Sequence, residues 1–475
     1  MHPLPASPAE LKPFVHKALR QWHKLGERSA DTLSALLIVK DRLPKTGASP
    51  EALRLATNEV LLEGIKELAK YDANGATILK RFPDNEITQT LAYRLNMGVD
   101  KVNHIQSQAI DTLAEILFAW EIKIRKEHIQ LLEAGLPSRP YTQLFGFKAA
   151  RKTLVEKLLD PAGPPLINVT GMGGIGKTSL ADAAVREALQ TFEFERAIWI
   201  RVEAQTLQGT HASVERLYDA LMAELWRQLA PGEKTSPDPE KQIRHALQTV
   251  KHLLVFDNLE EEGEIVYLLE RLQTVVGRGK CVLTSRAHPI HASHPSRSLE
   301  VFTFPVEELA FSDAAELIRH EAAAKGIKDL AAAPLEDLQP IYDLTGGNPL
   351  AIKLVVSLLA RYPLSKISHD LTHLQPGQVD DLYRHIYRQT WMSLSPAAKA
   401  LLQAMPLVAA TGGLPDQLQT ISGLAEGPFW AAIAELESCS LLEVSGPFNA
   451  RRYNIHTLTR TFLMTEINRW PDDAA

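Results

Sequence analysis

The run Gly171-Met172-Gly173-Gly174-Ile175-Gly176-Lys177-Thr178-Ser179 sets four glycines ahead of a lysine, a threonine and a serine. Glycines at that density let successive backbone N–H groups curl toward an anion, while a lysine ammonium reaches the outer oxygens and a threonine hydroxyl offers a hard donor to Mg2+. The chemistry implied is the cradling of a di- or triphosphate. Gly171, Gly173, Gly174, Gly176, Lys177, Thr178 and Ser179 are its candidate contacts to ATP or ADP, and Thr178 is the candidate ligand to the metal.

A nucleotide-bound Mg2+ needs a second anchor, a carboxylate at the end of a buried strand, and Leu253-Leu254-Val255-Phe256-Asp257 supplies one. Asp257 is therefore the Walker B candidate and second metal ligand. The following residue, Asn258, is an amide and cannot take a proton, so hydrolysis should be slow or depend on Glu260 or Glu261 to orient the attacking water. A third apolar run ends in Thr284-Ser285-Arg286, which puts Arg286 where it can sense the charge of a γ-phosphate. Three histidines, His288, His291 and His294, lack a cysteine or carboxylate partner and sit among prolines and serines; they read as a solvated loop.

These residues need a frame. Leu166–Thr170 is an apolar strand leading into the glycines, and Ala181–Leu189 continues them as a helix. Ala197–Val202, Leu253–Asp257 and Lys280–Ser285 are further strand-like runs separated by helical segments, the rhythm of a mostly parallel sheet covered on both faces. Before this region, from Pro8 to Ala134, helical periodicity is nearly continuous, and Gly135–Pro140 has linker composition. Beyond Phe304 the pattern turns helical again. Near the end, Leu441–Val444 and Arg452–Ile455 flank Ser445-Gly446-Pro447 as a hairpin.

The 475 residues are too many for one core, and the net charge of −6 sets up no overall basic field. Cys281 and Cys439 read as buried thiols rather than a disulfide framework. The N-terminus lacks a basic segment leading to an apolar core, and no run of about 18 apolar residues occurs, which argues against secretion and membrane spanning and for a cytoplasmic protein.

Two later motifs make a family visible. Thr345-Gly346-Gly347-Asn348-Pro349-Leu350-Ala351 opens a helix with a proline and resembles the Gly-x-Pro motif of the STAND signalling NTPases, which implies that Pro349 presses on adenine. Tyr453-Asn454-Ile455-His456-Thr457-Leu458 is similar to the Met-His-Asp motif of the NB-ARC branch, with Ile455 and Thr457 replacing the flanking Met and Asp. That resemblance implies a C-terminal winged helix whose His456 meets the β-phosphate of ADP. Phe145-Gly146-Phe147 stands where the family carries a Gly-Arg pair. The resemblance spans about residues 141–470. Together with the helical periodicity ahead of it, the expected parts are four: an all-helical N-terminal domain at 1–140, a P-loop nucleotide-binding domain at 141–303, a helical subdomain at 304–378 and a winged helix at 379–475. The implied function is an ATP/ADP switch, closed by ADP, that opens or self-assembles on exchange and answers to an unidentified sensor or effector protein. A DNA-binding, initiator-like AAA+ ATPase is the alternative.

The stretch Asp84–Ile105 has helix-turn-helix spacing, with Ile87, Leu91 and Ala92 inward on a first helix and Val99, Val102 and Ile105 inward on a second, the motif extending over about 84–118. It looks similar to region 4 of bacterial sigma factors. Arg94, Lys101, Asn103, His104 and Gln106 are then candidate DNA contacts. A helical hairpin used only for packing or homotypic assembly explains the same pattern. Met97 and Trp120 fall at apolar helical positions and are expected in the core.

Overall fold

The computed structural model describes residues 7–24, 32–43, 49–202, 211–231, 239–259, 262–286, 300–371, 379–408, 412–446 and 450–466. The chain divides into two compact units, Met1–Glu133 and Ala134–Ala475.

The first unit is helical, with its principal helices at Pro8–Arg20, Pro50–Leu68, Ala73–Leu79, Thr88–Arg94 and Val99–Glu133. Leu11, Val15 and Leu19 of the first helix pack with Val60, Leu61 and Ile65 of the second and with Leu113 and Leu117 of the last. Inside this core Glu121, fully buried, accepts the N–H groups of Leu37 and Ile38 at 3.0 Å each and pairs with Arg125 at 2.6 Å. Ser7-Pro8 and Ser49-Pro50 begin two helices in the same way: the serine hydroxyl accepts a first-turn N–H and the proline, having none to lose, follows.

Around the expected helix-turn-helix, Leu91, Ala92 and Val102 form a small core with Ile78, and Leu95, Met97 and Ile105 pack against it. Trp120 is half-buried against the larger core. Ile87 and Val99 depart from expectation: Ile87 is the N-cap residue of Thr88–Arg94, so its side chain precedes the first turn and is 61% exposed, and Val99, the first residue of the next helix, is 40% exposed. The helix from Val99 also runs unbroken for 35 residues to Glu133.

The second unit is built on five parallel strands, β1 (Leu166–Thr170), β2 (Arg196–Arg201), β3 (His252–Leu259), β4 (Lys280–Ser285) and β5 (Val301–Pro305), in the order β2-β3-β4-β1-β5. Helices flank the sheet, which is why β1 and β4 are buried along their whole length and read as apolar runs. From neighbouring β1 and β4 the chain leaves toward opposite edges, and ligands of open α/β sheets bind at the carboxyl ends of such a pair. β5 was not among the strands read from the sequence; it is a half-exposed edge.

After β5 come helices Phe311–Ala324, Leu335–Thr345, Pro349–Leu359 and Val379–Ser393, then Pro396–Ala404, Pro415–Ser422 and Glu426–Ser438, an antiparallel hairpin of β6 (Glu443–Ser445) and β7 (Arg452–Asn454), and a last helix, Thr457–Glu466. Upstream, the segment entering this unit is clasped to the helix Lys177–Leu189. Tyr141 donates its hydroxyl to Asp182 at 2.9 Å, Arg186 pairs with the same carboxylate at 2.9 Å, and a second nitrogen of Arg186 reaches the Pro137 carbonyl at 2.5 Å. Both cysteines are free and buried. Among the described residues no helix is long and apolar enough to cross a membrane.

Candidate functional site

β1 ends at Thr170 and the chain turns through Gly171, Gly174 and Gly176 with φ of 149°, 73° and 100°, values in which a side chain is strained. The Phe147 ring lies against Gly176, where an added Cβ would approach it to 2.9 Å. Lys177 and Thr178 open the following helix, so the first-turn N–H groups and the positive end of its dipole face the loop. The Lys177 ammonium arches back to donate to the carbonyls of Gly171 and Met172, both at 2.8 Å, while Ser179 is half-buried in the same turn.

Across from the loop, at the end of β3, Asp257 is 1% exposed. Its Oδ1 accepts hydroxyl protons from Thr178 at 2.7 Å and Thr284 at 2.6 Å, and its Oδ2 faces Arg201 Nε at 4.0 Å. A β-bulge between Phe256 and Leu259 puts Asn258 at φ 76°. There its N–H donates to the Thr284 hydroxyl at 2.8 Å and its amide turns toward the Val202 carbonyl at 3.3 Å, away from a role on water. Arg286 follows β4, its N–H bonded to the Leu259 carbonyl at 3.2 Å. Glu260, Glu261 and the histidines 288, 291 and 294 lie outside the described residues.

His456, between β7 and the last helix, belongs to the same cluster. Its Nδ1 accepts the Leu458 N–H at 3.2 Å, which leaves Nε2 as the protonated nitrogen of the neutral ring. Burial, together with the positive charges of Arg201, Lys177, Lys353 and Arg286, pushes its pKa down to about 3. Glu443 on β6 faces the same surroundings. Burial raises its pKa, Asp257 adds to that, and Arg201 and Lys353 oppose it. Lys353 comes from the helix Pro349–Leu359, whose first residue is Pro349, and Asn348 caps that helix while donating its amide to the Gly173 carbonyl at 3.0 Å.

Lys177, Thr178, Asp257, Arg286 and His456 are thus brought to one end of the sheet, with Pro349 beside the glycine loop. Arg201, Lys353, Glu443, Asn348 and Tyr383 join them without having been singled out in the sequence. For Arg201 the signal was hidden in strand register, because parallel pairing sets it beside Asp257.

In the first unit Lys101, Asn103 and His104 are exposed on one helix, and Arg94 pairs with Glu86 at 2.7 Å. Gln106 does not join them. It is 8% exposed, on the stripe with Val102 and Ala109, and accepts a hydrogen bond from Arg81 Nε at 2.7 Å, so it is unavailable to DNA.

Residues 147–327 match the NB-ARC domain family. Among relatives, the chain is 28% identical over 234 residues to the probable disease resistance protein RF45 of Arabidopsis thaliana, covering 48% of this chain and 22% of that protein. It is 24% identical over 231 residues to the TMV resistance protein N of Nicotiana glutinosa, covering 46% and 19%. The matched part therefore spans about a fifth of these relatives' length. A solved STAND protein with a tetratricopeptide repeat sensor from Pyrococcus horikoshii aligns with a TM-score of 0.44 at 18% identity, over 69% of this chain and 43% of that one. The glycine loop, the parallel sheet that carries it and the family match together make the central segment of this chain an NB-ARC-type, nucleotide-binding P-loop domain.

Proposed function

We propose that the chain is a STAND-type signalling switch that binds ADP in a closed form and opens, or self-assembles, when ATP replaces it. The observation that carries this reading is the convergence of Lys177, Arg201, Lys353 and Arg286 on His456. Arg201 faces Asp257 at 4.0 Å and Lys353 pairs with Glu321 at 3.7 Å, and four cations from separate elements still crowd one half-buried imidazole, surroundings that favour a polyanion. Its phosphates would take the loop N–H groups, the Lys177 ammonium and the Nε2 proton of His456. The last of these comes from the C-terminal helices and hairpin, read here as the winged helix, so phosphate binding would close that element onto the loop. A ligand shifts such an equilibrium only by its differential affinity for the two states.

Mg2+ fits the oxygen pair formed by the Thr178 hydroxyl and the Asp257 carboxylate, which are hard donors already within 2.7 Å of each other. When bound it would neutralise phosphate charge. Arg286 would sense the γ-phosphate and Pro349 would border the base. With the Asn258 amide turned to Val202, Glu260 is left as the proposed water-orienting residue, and turnover should fall well below the roughly 10 s⁻¹ typical of enzymes. Steady-state phosphate release at that rate without an activator would count against a slow switch.

Output is proposed to pass through the N-terminal helical unit, by DNA contact at Arg94, Lys101, Asn103 and His104 or by homotypic assembly, in the cytoplasm and under a partner protein's control. The disease resistance relatives support a signalling role of this kind. The decisive test is Lys177→Ala. It should lower ADP affinity by about 100-fold or more, the loss expected for two charge-assisted phosphate bonds, with an unchanged circular dichroism spectrum. Equal ADP binding by the variant and the parent would sink the phosphate-loop assignment.

A further inference from the structure

Asn348 makes more bonds than a helix cap requires. Its Oδ1 accepts the N–H groups of Leu350 at 3.1 Å and Ala351 at 3.4 Å, which caps the helix Pro349–Leu359 and fixes the orientation of the amide. Nδ2 therefore points the other way and donates to the Gly173 carbonyl at 3.0 Å. Tyr383, on the helix Val379–Ser393, gives its single hydroxyl proton to the same Oδ1 at 2.7 Å, and its oxygen sits 3.4 Å from the Gly173 carbonyl. Leu350 N–H reaches the Gly174 carbonyl at 3.3 Å. Two consecutive carbonyls of the glycine loop are thus tethered from outside.

A peptide unit is planar, with its N–H opposed to its C=O. Holding the Gly173 and Gly174 carbonyls outward therefore aims the N–H groups of Gly174 and Ile175 to the opposite side. That side is the cradle: Ile175 N–H points at the Met172 carbonyl at 3.4 Å, the same oxygen the Lys177 ammonium contacts. We infer that Asn348 and Tyr383 are positioning residues for the phosphate cradle, aiming the loop N–H groups at the phosphates of a nucleoside di- or triphosphate. This rests on the nucleotide reading above.

The arrangement leaves no slack. At Gly174 an added Cβ would lie 2.3 Å from the Tyr383 hydroxyl oxygen, and at Gly173 one would lie 3.1 Å from Leu458. Tyr383 stacks on Tyr387 with ring centroids 6.2 Å apart, and Tyr387 stacks on Phe462 at 5.1 Å and bonds Thr459 at 2.8 Å. The helix that follows His456 is thereby linked to the loop through an aromatic column as well as through Leu458. Loop shape and the seating of the C-terminal helices are set together.

Asn348→Ser tests the tether without removing the cap, since serine serves at a helix N-cap about as well as asparagine but is too short to reach Gly173. Tyr383→Phe removes only a hydroxyl and carries the test should the first variant fail to fold. Calorimetric titration of the full chain with ADP, ATP and adenosine should show ADP and ATP weakened roughly 3- to 10-fold, the worth of one net hydrogen bond, with adenosine unaffected. Parental ADP affinity in both variants would overturn the inference. So would an equal loss for adenosine and ADP, which marks general disruption rather than aimed N–H groups. Lys177→Ala, titrated alongside, separates the two hypotheses: if it too keeps ADP, the nucleotide reading has failed and this inference falls with it.

Discussion

Among the described residues both units bury carboxylates among fixed partners, and Glu121 in the first and Asp257 in the second are held differently. Both oxygens of Glu121 accept backbone N–H groups at 3.0 Å, and Arg125 closes on it at 2.6 Å. Those donors cannot turn away, so the group is consumed by the fold, tying the short helix Leu37–Lys40 to the long one. Asp257 is bonded at one oxygen by two hydroxyls, Thr178 and Thr284, and faces Arg201 at 4.0 Å with the other. A hydroxyl rotates and can accept as readily as donate. The same chemical group is a rivet where its donors are main-chain amides and a receptive site where they are side-chain hydroxyls.

Exchanging each charge for its amide gives the largest contrast. Glu121→Gln should destabilise the first unit by about 3 kcal/mol, because it strips a buried pair of its anion and sets an NH2 against a backbone donor. Nucleotide affinity should not change. Asp257→Asn should leave the melting temperature nearly where it was, since an amide oxygen still accepts from both threonines, yet weaken Mg2+-dependent ATP binding by about tenfold or more. Denaturant melts and ATP titrations of both variants, with and without Mg2+, decide it. A fold that fails in Asp257→Asn and survives in Glu121→Gln would reverse the comparison.

A smaller effect is expected at His456. His456→Ala should speed ADP release about tenfold, as for a lost bond to a charged group, with a lesser change for ATP. Identical ADP release from variant and parent, measured with a fluorescent analogue, would make His456 a packing residue.

The last effect shows only in acid. The folded pKa of His456, about 3, lies below the unfolded value of 6.5, so between these the unfolded chain binds the extra proton. Its contribution to stability is complete above pH 6.5 and is lost as pH falls toward 3. His456→Gln should flatten that part of the stability profile in nucleotide-free protein. A slope equal to the parent's would show that other groups govern the acid limb.

What the sequence disclosed follows from how local each feature is. Lys177 and Thr178 were legible because loop, charge and helix start are contiguous, and Asp257 because a strand end can be read from four apolar neighbours. Arg201 and Lys353 were not, since one depends on parallel register and the other on how a later helix packs. Asn348 lies within the Thr345–Ala351 motif, but its bond to Gly173 spans 175 residues of chain. Gln106 misled because hydrophilicity suggested an outward face, whereas a helix of 35 residues keeps one stripe inward and satisfies a polar member of it with Arg81. The alternation of Phe302 and Phe304 in β5 was too short to stand out against the helices beyond it.

The clasp upstream of the loop bears on where this chain can be cut. The match to the NB-ARC family begins at residue 147, but Tyr141 and the Pro137 carbonyl are bonded to Asp182 and Arg186, in the middle of the helix whose first turn carries Lys177 and Thr178. A fragment trimmed to the family boundary would strip the Tyr141 and Pro137 partners from the buried pair of Arg186 and Asp182. The smallest autonomous nucleotide-binding piece should therefore start ahead of Pro137, inside what looks like a dispensable connector.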